Sequence, residues 1–202
     1  MRGRRMRLSF GIVLALLALL ALWTGCASTV TPPSGVGDPV TVHLTSAGKH
    51  AGLLLPRGDG RAVEYGYGAW SWYALNRDEW WRAPGTVLWP NRGTLGRRDV
   101  RPGEVQGRSY GGATVSELRV SAARATALLR RLDEEFEEAS SSIGEPHYNE
   151  PFDMHFVPHP ERFWFGHMCH DEVAEWLREL GCEVSRTAIR TGLGVRDETP
   201  AR

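Results

Sequence analysis

The sequence predicts an α+β fold, a small antiparallel sheet with helices packed on it, from three patterns in its 202 residues. Short runs of alternating or continuous apolar residues crowd the stretch from Pro39 to Tyr65. A glycine-rich turn, Arg57-Gly-Asp-Gly60, separates two of them in the manner of a hairpin. Two long amphipathic stretches follow later, Ala122 to Ala139 and Cys169 to Gly181.

The chain opens with Arg2, Arg4, Arg5 and Arg7, then an apolar run from Phe10 to Trp23. A basic start, a hydrophobic run short for a membrane span and the small residues Thr24 and Gly25 before Cys26 make an export signal. Ending on a cysteine, it resembles a bacterial lipoprotein signal. The resemblance implies that residues 1–25 are removed and that Cys26 is lipidated; a plain N-terminal anchor is the alternative. Either way the domain faces the cell envelope, and the lipoprotein reading puts it on the periplasmic side of the outer membrane. Residues 26–38, rich in proline, glycine and serine, then read as a flexible tether.

Removal of residues 1–25 takes away four arginines and no acid, leaving 20 basic and 24 acidic residues and a net charge of −4. Such a chain is a poor nucleic-acid binder, because phosphate contacts supply most of that affinity. The remaining length suits one compact domain, residues 39–192, with a polar tail at 193–202.

Within that domain Pro39 to Leu44 alternates as a strand, and a turn leads into His50-Ala-Gly-Leu-Leu-Leu-Pro56. Arg61 to Tyr65 returns as the partner strand. Gly66 to Tyr73 is glycine-broken and aromatic, and Asn76 to Arg82 suits a short helix. A short strand is expected around Val87, with loops from Asn91 to Gly112. Thr114 to Val120 reads as a strand, and Ser121 as the cap of the helix Ala122 to Ala139. The acidic end of that helix, Asp133 to Glu138, reads as a solvated face. Ser140 to Phe165 reads as a long loop covering something.

The stretch from Cys169 to Gly181 carries the chemistry. Val173, Trp176, Leu177 and Leu180 recur at helical spacing, Asp171 and Glu172 sit in the first turn, and Gly181 closes the end. Cys169, four residues before Val173, projects along the buried face. A helix start favours the thiolate, the reactive form; the competing reading is a small core residue. Cys182 is no disulfide partner, since thirteen helical residues separate the two by nearly 20 Å where a disulfide spans about 7 Å at most.

A thiol nucleophile needs a base, and the base needs a partner that orients it. His50, at the first position of its strand, is the candidate base, with His43 in reserve. Glu64 on the next strand is the candidate orienter, provided the hairpin register puts both on one face. His155, His159, His167, Cys169 and His170 form a rival zinc cluster, although no pair among them has a familiar ligand spacing. His147, His155 and His159 otherwise read as loop or cleft-wall residues. Trp70 and Trp72, with Trp80, Trp81, Trp89 and Trp164, read either as cleft walls for glycan or acyl groups or as ordinary packing.

The run His50-Ala-Gly-Leu-Leu-Leu-Pro56, then Glu64-Tyr-Gly-Tyr-Gly68, then a cysteine opening a helix that ends Leu-Arg-Glu-Leu-Gly181, resembles the circularly permuted NlpC-type papain-like fold. That superfamily includes the lecithin retinol acyltransferase-like group. The run is similar also to a bacterial envelope family with a His-x-Gly-x-x-Leu-Pro strand, a Glu-Tyr-Gly-x-Gly turn and a late cysteine helix. The chain departs from that family with His170 in place of asparagine and Ala69 in place of aspartate. The resemblance implies a cysteine hydrolase with Cys169 as nucleophile, His50 as base and Glu64 as third residue. It implies an oxyanion met by the Cys169 N–H and Tyr65, with His167, His170, Trp70 and Trp72 around the cleft. Such an enzyme needs neither cofactor nor metal. Its expected substrates are peptidoglycan peptides or related amides, or alternatively lipid acyl groups; a non-catalytic lipoprotein that binds glycan, peptide or protein is the other class.

Overall fold

A computed structural model of the chain describes residues 28–47, 50–58, 60–101, 114–185 and 192–196. The expected signal segment 1–25, Cys26 and most of the expected C-terminal tail lie outside the described residues. Among the described residues no helix is long and apolar enough to cross a membrane.

The fold is α+β, and its main sheet has seven antiparallel strands. In chain order they are β2 (Pro39–Ala47), β3 (His50–Pro56), β4 (Ala62–Ala69), β5 (Asn91–Val100), β6 (Thr114–Ser121), β7 (His147–Asn149) and β8 (Met154–Phe163). Across the sheet the order is β6-β2-β3-β4-β5-β8-β7. A three-stranded sheet joins β1 (Ser28–Thr31), β9 (Glu183–Val184) and β10 (Leu193–Val195), with β1 in the middle.

Among the described residues four α-helices complete the fold: α1 (Trp70–Tyr73), α2 (Ala83–Leu88), α3 (Ala122–Ile143) and α4 (Cys169–Glu179). α3 lies over β2, β3, β6 and β8, while α4 lies over β3 and β4. Between these helices and the sheet sits the main core, where Ala51, Leu53 and Leu55 of β3 meet Val173, Trp176 and Leu177 of α4. Each of these six side chains is fully buried, and a large apolar one contributes roughly 1.5–3 kcal/mol by leaving water. A smaller cluster of Tyr73, Ala74, Met154 and Phe156 fills the opposite face under α1.

Several sequence expectations are corrected. Residues 26–38 are not wholly a tether, because β1 begins at Ser28 and buries both Ser28 and Val30. The strand expected around Val87 is the helix α2, opened by Pro84 in its first turn, where a missing N–H costs nothing. The loop expected from Asn91 is β5, a strand between β4 and β8. Its glycines hide the alternation: a Cβ on Gly93 would come within 2.2 Å of the Glu161 carbonyl, and one on Gly96 within 2.5 Å of the Met154 sulfur. The loop expected from Ser140 to Phe165 contains the end of α3, then β7 and β8. Pro158 and Pro160 fit in β8 beyond the point where β7 stops pairing with it, so one side there has no ladder to lose. The polar tail expected from residue 193 begins with β10, which pairs in parallel with β1. Ser121 stands at the N-cap of α3 but makes no side-chain capping bond.

Candidate active site at the start of helix α4

The hairpin register decides which groups meet. Gly52 pairs with Gly66 and Leu54 with Glu64, so His50, Gly52, Leu54, Glu64 and Gly66 share one face of the sheet. Ala51, Leu53, Val63 and Tyr65 then face the helices. His50 and Glu64 therefore meet the parity condition that the sequence left open. Because β3 starts at His50, the candidate site lies at the rim of the sheet, where the two layers meet.

α4 delivers the thiol to that rim. The Asp171 carboxylate accepts the Met168 N–H at 2.9 Å, closing a capping box around the first turn. His167 holds the preceding turn through Glu172, Nε2 to Oε2 at 2.8 Å. Glu172 also accepts the Trp176 indole N–H at 2.9 Å. The hydrogen bond to Glu172 raises the His167 pKa. Burial works to raise that of Glu172, but His167, His159 and Trp176 outweigh it and hold the carboxyl below its ordinary value. These bonds fix Cys169 as the first residue of the helix, 3% exposed.

Backbone N–H groups of Ala51, His170 and Cys169 near the sulfur favour its charged form. Burial is nevertheless the larger effect and pushes the thiol up to about 12. The helix start does not make a resting thiolate here; desolvation wins. The His170 imidazole is buried beside the thiol, Nδ1 to Sγ 3.5 Å.

His50 belongs to the same group. Its ring centroid is 5.0 Å from that of Tyr73. A Cβ on Gly66 would lie 3.1 Å from the His50 Cε1, so this glycine lets the ring lie down on β4. Burial, then the charges of His170 and Arg98, push the His50 pKa down to about 4. Its buried Nδ1 has no hydrogen-bond partner. Near pH 7 the thiol beside the His170 imidazole is thus neutral, and so is the His50 ring, which feels His170 in turn.

Glu64 shares the face of His50 but is committed elsewhere. Its carboxylate, 1% exposed, pairs with Arg98 directly opposite on β5 and accepts from the Thr45 hydroxyl at 3.4 Å. Its shown partners are therefore Arg98 on β5 and Thr45 on β2. Tyr65 is not an oxyanion donor: its hydroxyl donates to Asp133 at 2.7 Å on the helix side. The tyrosines whose pKa values are raised by burial and further by the Cys169 charge are Tyr67 and Tyr73. Trp72 packs on Phe163, 5.9 Å between centroids, whereas Trp70 is occupied by Arg92 and His147. His43, the reserve base, lies on β2 beside Glu117, 3.9 Å away.

The five-residue zinc cluster is dispersed. His155 contacts Tyr148, His159 pairs with Glu135 at 2.7 Å, and His167 is bound to Glu172. Among the described residues no three metal-ligating side chains converge. Neither Cys169 nor Cys182, at opposite ends of α4, is in a disulfide.

Tyr73 is the residue that sequence reasoning missed. It lay inside the aromatic stretch already noticed, and its contact with His50 follows from α1 folding back over Gly68, where a Cβ would come within 2.1 Å of the Tyr73 ring. No known protein family, curated protein or solved structure matches this chain.

Proposed function

We propose that this chain is a cell-envelope lipoprotein, held to the membrane through Cys26, whose domain is a cysteine amidase or peptidase of the permuted papain-like type. The supporting observation is the convergence of the Cys169 thiol, backbone N–H groups and the His50 and His170 imidazoles at one rim of the sheet.

In this reading Cys169 attacks an amide carbonyl while an imidazole takes the thiol proton in the same step. With the thiol near 12 and His50 near 4, a resting ion pair is strongly uphill, so attack and proton transfer are concerted. The new S–C bond gives a tetrahedral oxyanion, met by the Cys169 N–H at the helix start. The imidazole returns the proton to the leaving nitrogen, the C–N bond breaks, and water hydrolyses the thioester. His50 is the proposed base, because its ring is neutral and its Nδ1 is free of other bonds. His170 is the rival base, favoured by its 3.5 Å approach to the sulfur.

Peptide stems of peptidoglycan are the proposed substrate, with lipid amides or esters as the alternative. The test incubates the protein with cell-wall fragments and, separately, with lipid amides, and measures released amine. Activity lost in Cys169→Ala and His50→Ala supports the reading, and loss in His170→Ala alone reassigns the base. A non-catalytic envelope protein that binds glycan, peptide or protein is the second reading, favoured by the burial of Cys169. Binding without turnover of either substrate class supports it.

A further inference from the structure

The most exposed aromatic side chains are not used by the candidate site. Trp80 is 81% exposed, Trp81 60% and Trp89 65%, and Leu88, Trp164 and Phe165 are exposed as well. They come from two segments, residues 80–89 and 164–165, joined by the Phe165 N–H donating to the Val87 carbonyl at 2.7 Å. Packing does not explain them, and contiguous exposed apolar side chains mark an interaction surface.

The edge of this surface is basic. Arg92 and Arg162 stand directly opposite each other on β5 and β8, both exposed. Neither forms an ion pair among the described residues, although Arg92 lies over the Trp70 ring at 4.9 Å. Like charges facing across a strand pair are destabilising unless an anion answers them. Arg92 is three residues after Trp89, and Arg162 is two residues before Trp164.

We infer that this face docks on an anionic lipid bilayer. Tryptophan favours the membrane–water interface, where its apolar body and polar N–H are both accommodated. Arginines at the rim complement acidic headgroups. The order of the chain fits the same occupant: the first described strand, β1, starts at Ser28, two residues after Cys26. On the lipid-anchor reading, only Ala27 separates the acylated residue from the first strand, which keeps the domain against the bilayer. Phe163 to Phe165 run directly into the turn before Cys169, so docking brings the rim of the sheet close to the lipid.

The test is hydroxyl-radical footprinting of the full-length protein, sparsely reconstituted into phosphatidylcholine vesicles with and without phosphatidylglycerol. Tyr148, 49% exposed on the edge strand β7, is the internal reference. Docking predicts that Trp80, Trp81 and Trp89 label roughly fivefold less than their free exposure relative to Tyr148 implies. It also predicts that phosphatidylglycerol deepens this protection in the native chain but not in the Arg92→Glu/Arg162→Glu variant. Labelling that follows the free exposures overturns the inference. Protection that rises with protein density and ignores lipid charge also overturns it, and identifies a second copy of the chain as the occupant. The inference rests on the proposed lipid anchor, which the intact mass of the reconstituted chain checks separately, and the readout does not depend on Cys169 chemistry.

Discussion

At Cys169 two effects of the same placement oppose each other. Three backbone N–H groups favour the thiolate, and complete burial opposes it more strongly. Alkylation by iodoacetamide is therefore expected to rise roughly tenfold per pH unit up to about pH 10 without levelling. A plateau near neutral pH would mean a preformed ion pair and contradict this picture. His50 gives the complementary prediction. Its folded pKa, about 4, lies below the ordinary 6.5, so between those values the unfolded chain holds a proton that the folded chain refuses. Stability then falls as pH drops through this window, by roughly 3 kcal/mol, and the loss ends below the folded value. Urea midpoints at both ends of the window should show a smaller drop in His50→Gln than in the native chain; equal drops would disprove the burial cost. The placement of Cys169 at a helix start and of His50 at a strand start was legible because both are local features. Tyr65 was misread for a reason of parity: adjacent strand residues point to opposite faces, so Glu64 and Tyr65 never belonged to one site.

Helix α4 is the element that turns a buried cysteine into a candidate nucleophile, and its first turn depends on Asp171 and the His167–Glu172 pair. Asp171→Ala removes half of the capping box and should cost about 1 kcal/mol of unfolding free energy. Amide exchange at Cys169 and His170 should quicken, while that at Trp176 should hardly change. On β4 and β5 the Glu64–Arg98 pair is buried, with both side chains 6% exposed or less. Glu64→Gln leaves the guanidinium without its countercharge and should cost about 3–5 kcal/mol. A Glu64→Leu/Arg98→Met double variant should lose much less, as measured by denaturant midpoints. If both variants cost the same, the ion pair is not what matters there. The helices were readable from period and caps, but β5 and β8 were not. Their glycines, arginines and prolines answer to backbone and side chains brought in from distant parts of the chain, which no local window contains.

For the molecule as a whole, one topological fact matters most: seven antiparallel strands bring residue 50 and residue 169 to the same rim. The α+β class was legible in the sequence, whereas the width of the sheet and the small second sheet were not. β1 and β10 come from opposite ends of the chain and pair only through the tertiary fold, so neither carries a strong signal alone. The same fold leaves the tryptophans of residues 80–89 outside the core, while Trp72 packs on Phe163. The direct test of the proposed chemistry is intact-mass measurement of the protein during turnover of cell-wall fragments. Concerted attack by Cys169 predicts a transient acyl adduct on that residue, absent in Cys169→Ser and formed at least roughly a hundredfold more slowly in His50→Ala. Amine release that continues in Cys169→Ser, or adduct formation at an unchanged rate in His50→Ala, would contradict it.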